Sequence, residues 1–263
     1  MSLQPSAPPK PADSFREKII IALLGFILAG VLGGTVTTWI QQRGWAWQNR
    51  VAKIDKDVSN ALAAYQGASD LINARWHATW CLTRAIERDV GPDEWTAARD
   101  EFTGAERDWA IRYTNVARDV AFNVDTPFGV DYRDQLKLIW TFDCDHFAFG
   151  SDGVAGLDGR SARVLLDLVN HCNGLVKDAL DKGVDSRTGA PVGLDAAARK
   201  ALTSHAYLRL DAIYRTNEAL RCVIFDRALA IRQSAAVDSY WSSFFGIGEP
   251  TYKPAVESKD CLG

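Results

Sequence analysis

The run that most constrains this chain is residues 19 to 40, IIIALLGFILAGVLGGTVTTWI, which holds no charged side chain. As a helix it spans roughly 30 Å, about one bilayer core. In lipid only a helix or a closed barrel satisfies its own backbone, so this segment predicts a single transmembrane helix. Arg16 and Lys18 bound one end; Trp39, Arg43, Trp45 and Trp47 cluster at the other. Amphipathic rings and snorkelling cations favour the headgroup layer, which makes these residues the expected membrane anchor. Gly30 and Gly34 have the small-xxx-small spacing that lets two helices approach closely, although glycine is common in membrane helices generally. A cleaved signal peptide is the rival reading of the segment. The apolar character continuing through Val36 to Ile40 favours an uncleaved anchor.

Residues 1 to 18 read as a disordered Pro-rich tail, since the first fourteen carry four prolines and few large apolar side chains to offset ordering entropy. Beyond the span, residues 41 to 248 read as a helical stalk and bundle, and residues 249 to 263 as a flexible tail. No proline occurs between the span and Pro92, so the helix is expected to run on out of the membrane. Val58, Leu62, Tyr65, Ser69, Ile72, Trp76, Thr79, Thr83 and Ile86 alternate spacings of four and three, a heptad stripe of the kind that faces a partner helix in a coiled coil.

Gly91 ends that helix and Pro92, followed by Asp93 and Glu94, opens the next. Its stripe runs from Trp95 through Phe102 and Trp109 to Val120, and a turn follows at 123 to 129. A third helix is expected at about 130 to 149, wide in apolar surface and therefore central, with a glycine-rich loop at 150 to 160. A fourth is expected at about 161 to 181 and a fifth at about 194 to 237; the last would exceed 60 Å if unbroken, so a kink or split is expected there. The aromatic run at 240 to 247 either caps the bundle or lies in the membrane interface. No strand pattern of useful length occurs. The expected fold is all-α: an N-terminal transmembrane helix continuing into an elongated antiparallel helical bundle.

A formal charge of -3 with interspersed acids and bases excludes an extended basic nucleic-acid surface, so no nucleic acid is expected as a partner. Five widely spaced cysteines do not read as an evenly paired scaffold. They favour a reducing compartment and a cytoplasmic bundle, where the positive-inside count of three basic residues before the span against four after it decides little.

Three pieces, LGGTVTTWIQQRGWAWQ, SDLINARWHATWCLTRAI and DEWTAARDEFTGAERDWAIRYTNVARDV, give residues from about 27 to 150 a resemblance to a group of uncharacterised bacterial single-pass membrane proteins. That group pairs a Gly-rich span with a Trp-rich helical hairpin. The resemblance implies a bacterial inner (plasma) membrane location and a cytoplasmic bundle, and it carries no activity.

The densest reactive cluster is Asp143-Cys144-Asp145-His146, with His171-Cys172 one helix later. Asp143, His146, His171 and Cys172 would converge on a metal if the two helices packed side by side, giving a metal-binding enzyme or sensor. The competing reading is surface acids, core cysteines and edge histidines, because adjacent helix residues point about 100° apart. Cys81 with His77 one turn away is a thiol-and-base pair lacking a third orienting group. His205 reads as an edge histidine. Trp76, Trp80, Trp95, Trp109 and Trp140 have helical spacing that reads as core rather than a ligand pocket. With no complete catalytic or cofactor motif, no cofactor is expected, and enzyme activity is less expected than action through protein contacts. The expected role is an accessory, scaffold or sensory component of a membrane assembly, engaging the lipid bilayer and a protein partner or a second copy; a small-molecule sensor is the further alternative.

Overall fold

The computed structural model describes residues 15–145, 160–185, 189–190 and 192–237. Expectations for the first fourteen residues, the glycine-rich loop, His146, the aromatic run and the C-terminal tail fall outside these. The protein is all-α, with no β-strand among the described residues.

Helix α1, Phe15–Arg88, is one unbroken element of 74 residues, about 110 Å long. It joins span and stalk without a break and begins inside the stretch expected to be a tail. Every described side chain from 18 to 42 is exposed, and the first buried one is Ile54. The heptad stripe holds at Val58, Ile72, Thr79, Thr83 and Ile86, but Ala61, Ala64 and Ala68 are buried beside it. The buried surface exceeds one coiled-coil seam because α1 packs mainly against two neighbours, the helices Pro92–Val120 and Ala196–Val237. Buried Thr79 and Thr83 donate to the carbonyls of Arg75 and Thr79, at 2.7 and 2.8 Å, so neither hydroxyl is left unpaired.

Helix α2, Pro92–Val120, starts where its proline and acids predict. Its inward face of Trp95, Ala98, Phe102, Trp109, Ala117 and Val120 is the one the sequence spacing marks. The helix then widens into a π-helical turn, Ala121–Asp125, which leaves Val124 and Asp125 buried.

The third helix differs most from expectation. A 3-10 turn, Tyr132–Gln135, leads into α3, Leu136–Thr141, only six residues long and with none buried. Phe142 is extended and Cys144 is tied to Cys172 by a disulfide, which draws the chain off its helical path. Trp140 is 81% exposed, so this segment covers the bundle and is not its centre.

The central element is α4, Ala162–Leu180, with ten buried residues including Leu165, Leu166, Leu168, Val169 and Val176. Each such side chain, once buried, contributes about 1.5–3 kcal/mol against the entropy of ordering it. Ser161 caps α4, its Oγ accepting from the Val164 amide.

Helix α5, Ala196–Val237, runs 42 residues without the expected kink. It contains neither glycine nor proline, so nothing in it interrupts the hydrogen-bond ladder. Tyr65 packs edge-on to Phe225, the Trp76 indole donates to the Leu210 carbonyl and the Tyr207 hydroxyl donates to Glu87. Numbers rise along α1 as they fall along α5, so the two are antiparallel. The Trp109–Asn170 and Tyr113–Asp167 bonds set α2 antiparallel to α4 in the same way. Helices α1, α2, α4 and α5 therefore form an up-down-up-down four-helix bundle, with the first half of α1 projecting from it.

Candidate functional site

The cluster at 143 to 172 does not assemble a metal centre among the described residues. Cys172 and Cys144 are bonded to each other, with Cα atoms 5.7 Å apart, so neither sulfur is a thiolate ligand. Asp143 accepts from the Asp145 amide at 2.9 Å. Asp145 holds Arg209 through two contacts, at 2.6 and 2.8 Å. Hydrogen bonding from that guanidinium keeps the Asp145 carboxyl below the usual carboxylate range. Arg209 also donates to the Leu175 carbonyl, and His205, 58% exposed, lies 3.7 Å from Asp145. The adjacent pair Asp145 and Cys144 thus clamps the end of the α3 segment onto α4 and α5. Cys222 is disulfide-bonded as well. The expectation of free core thiols fails for three of the five cysteines, and the preference for a reducing compartment loses its premise. Widely spaced cysteines pair when folding brings their Cα atoms within bridging range, which spacing in sequence does not reveal.

Asp125 is a second polar centre that the sequence reading passed over. It is buried in the π turn, and its carboxylate accepts from the Ser161 hydroxyl at 2.7 Å and from the amides of Ala162 and Arg163 at 2.9 and 3.0 Å. It therefore caps α4 from outside that helix, at the end where the dipole favours an anion. The Arg227 guanidinium of α5 pairs with the same carboxylate, donates to the Arg160 carbonyl and lies over the Phe128 ring. All its acceptor positions face groups of this chain, so the cluster is a structural joint rather than a site for a ligand.

A ladder of polar and aromatic groups joins α1, α2 and α4. Arg75, 4% exposed, pairs with Glu106 and lies 4.7 Å from the Trp109 ring centroid. Trp109 stacks on Tyr113 and donates its indole N–H to Asn170. The Tyr113 hydroxyl donates to Asp167, which also pairs with Arg163; burial pushes the Tyr113 pKa strongly up. Trp95 and Trp109 are core as expected, Trp76 and Trp80 are half-buried, and Trp140 is not core.

At the tip of the bundle, Ile86, Val90, Trp95, Val192 and Leu194 line a cleft of about 140 Å³. Its charged pair, Asp89 and Arg199, is closed on itself at 2.6 Å, so among the described lining residues no charged side chain is left for a ligand.

The geometry adds a third member to the Cys81–His77 pair. Glu101 of α2 lies 3.0 Å from His77 Nδ1, while Cys81 Sγ stands 3.8 and 3.9 Å from Nδ1 and Nε2. The sulfur is almost equidistant from both ring nitrogens, so neither is aimed at it as a general base would be. Burial and, next, the Glu101 charge push the Cys81 thiol up, the wrong direction for an activated nucleophile. This arrangement does not make a Cys-His-Glu catalytic triad.

At the other end of the molecule, Arg43 lies 4.4 Å from the Trp39 ring centroid and Trp45 is 68% exposed. Beyond the helix's own adjoining backbone, nothing lies within 4 Å of where a Cβ would stand at Gly30 or Gly34. The helix from Lys18 onward is long and apolar enough to cross a membrane, and none of its most apolar window is buried.

No protein-family model, no curated protein and no solved structure matches this chain.

Proposed function

We propose that this protein is a single-pass membrane-tethered helical bundle that works through protein contacts, as an accessory, scaffold or sensory component of a membrane assembly. The observation that carries this reading is the continuity of α1. One helix changes from apolar surface exposed at every described side chain between 19 and 40 to a face buried against two neighbours from Ile54 onward. Motion or association at the membrane end is therefore transmitted along a rigid rod into the bundle. The open face at Gly30 and Gly34 suits a second copy or a partner's membrane helix.

The paired cysteines favour a bundle on the oxidising side of the membrane, the reverse of the cytoplasmic placement expected from spacing. A bacterial plasma membrane, with the bundle on its outer face, suits this arrangement.

Two measurements on the full chain test the reading. Membrane pellets washed at alkaline pH should retain the protein, and cross-linking in mild detergent should give a dimer or a reproducible heteromeric band. Release by the wash together with a monomer-only pattern would sink it. In intact cells a membrane-impermeant maleimide should reach half-exposed Cys81, the free cysteine among the described residues. Labelling confined to lysed cells would instead place the bundle in the cytoplasm.

A further inference from the structure

Helical periodicity puts His77 and Cys81 on one face, one turn apart, and the α1–α2 hairpin brings Glu101 opposite them. The hairpin register is held nearby by Arg75 and Glu106 and by the tight turn before Pro92, so the three groups share a place without needing each other. Their donor atoms all lie within 4.8 Å of one another. Imidazole nitrogen, sulfur and carboxylate oxygen form the donor set that a borderline-soft divalent ion takes in preference to magnesium or calcium.

From this convergence we propose that His77, Cys81 and Glu101 bind one zinc-class divalent ion between α1 and α2. Zn–S bonds of about 2.3 Å and Zn–N and Zn–O bonds of about 2.0–2.1 Å at tetrahedral angles put sulfur about 3.6 Å from nitrogen and nitrogen about 3.4 Å from oxygen. The protein has 3.8 and 3.0 Å, so these two pairs each need a few tenths of an ångström, and the sulfur–carboxylate pair, within 4.8 Å, needs to close by at most about 1.2 Å to the roughly 3.6 Å of a zinc site, within the reach of side-chain rotation. Thiolate and carboxylate together supply two negative charges against the ion's two positive ones, and the thiol proton leaves to solvent on binding. His77 and Glu101 side chains are 61% and 49% exposed, which gives the ion a path in and leaves a fourth coordination position to water. Such a site is open rather than closed, and it clips α1 to α2 on the bundle surface.

This proposal is independent of the membrane reading, since it uses only the hairpin. Full-length protein in mild detergent, kept free of reductant so that the disulfides persist, is titrated with cobalt(II) as a spectroscopic stand-in for zinc. One equivalent should produce a thiolate-to-metal charge-transfer band, which zinc then displaces, and Trp80, whose ring lies 6.4 Å from the His77 ring, should be quenched. The band should vanish in Cys81→Ser and His77→Ala, and affinity should fall by about tenfold or more in Glu101→Gln. His205→Ala should bind like the wild type. Metal should raise the thermal midpoint of the wild type and not of Cys81→Ser, whose metal-free midpoint reports that it folds. The proposal is overturned if the folded wild type gives no thiolate band, or if the band persists unchanged in Cys81→Ser.

Discussion

The two halves of α1 are one uninterrupted helix with opposite fates. From 18 to 42 every described side chain is exposed, including Ile21, Phe26 and Val31, whereas from Ile54 to Ile86 the helix buries a wide face. The difference lies in how the apolar residues are arranged around the axis. The first half is apolar all round, with no polar face to leave in water, which is the pattern of a helix meant for lipid. The second half alternates apolar and small residues on one side with Asp55, Lys56, Gln66 and Asp70 on the other, so it needs neighbouring helices rather than lipid. A helix can therefore be continuous in hydrogen bonding and still change solvent midway.

The variant that separates the halves most directly is Ile27→Arg, which places a charge near the centre of the exposed half. A cost of about 2.5–3.5 kcal/mol for insertion should shift the protein from membrane to soluble or aggregated fractions, with the bundle's unfolding midpoint unchanged. Equal damage to both readouts would show that the halves are not separable. Next comes Asp125→Ala, which strands buried Arg227 and uncaps α4. Chemical denaturation should show a loss of about 3–5 kcal/mol in the bundle while membrane retention stays intact.

Replacing both Cys144 and Cys172 by serine opens a link across 28 residues of sequence, and chain entropy sets its worth at about 3–4 kcal/mol. Reducing agent should lower the wild-type stability by a similar amount and leave the double variant unmoved at that link. The smallest effect concerns pH. Arg209 lowers the folded-state pKa of Asp145, so the pairing stabilises the bundle above the ordinary carboxylate range and is lost as pH falls through the lowered folded value. In Asp145→Asn the acid limb of a stability-versus-pH curve should flatten; an unchanged slope would show that other carboxylates carry it.

The second helix was legible residue by residue, and the fourth by its extent. Pro92 with Asp93 and Glu94 marked the start of one, and the apolar spacing marked the inward faces, whereas the capping role of Ser161 emerged only in the fold. The third helix was misread because Leu136, Ile139, Trp140 and Phe142 count as apolar wherever they stand, whereas the tie from Cys144 to α4 left Trp140 in solvent. The expected break in α5 came from length alone, and length does not interrupt a helix that lacks glycine and proline. Asp125 gave no signal beyond an acid in a turn, because its partners lie 36 to 102 residues away. Glu101 was equally silent beside His77, 24 residues distant.

Local chemistry in the chain determined that the protein is helical, where most helices begin, and that its first helix has a surface fit for lipid. Those properties depend on residues within a few positions of one another, through periodicity, capping and the absence of helix breakers. The tertiary structure alone decided which cysteines pair, which acid is buried against Arg227, which segment is central and which acid joins His77 and Cys81. Each of those outcomes depends on the register between helices, set by side chains that meet only after the chain has folded.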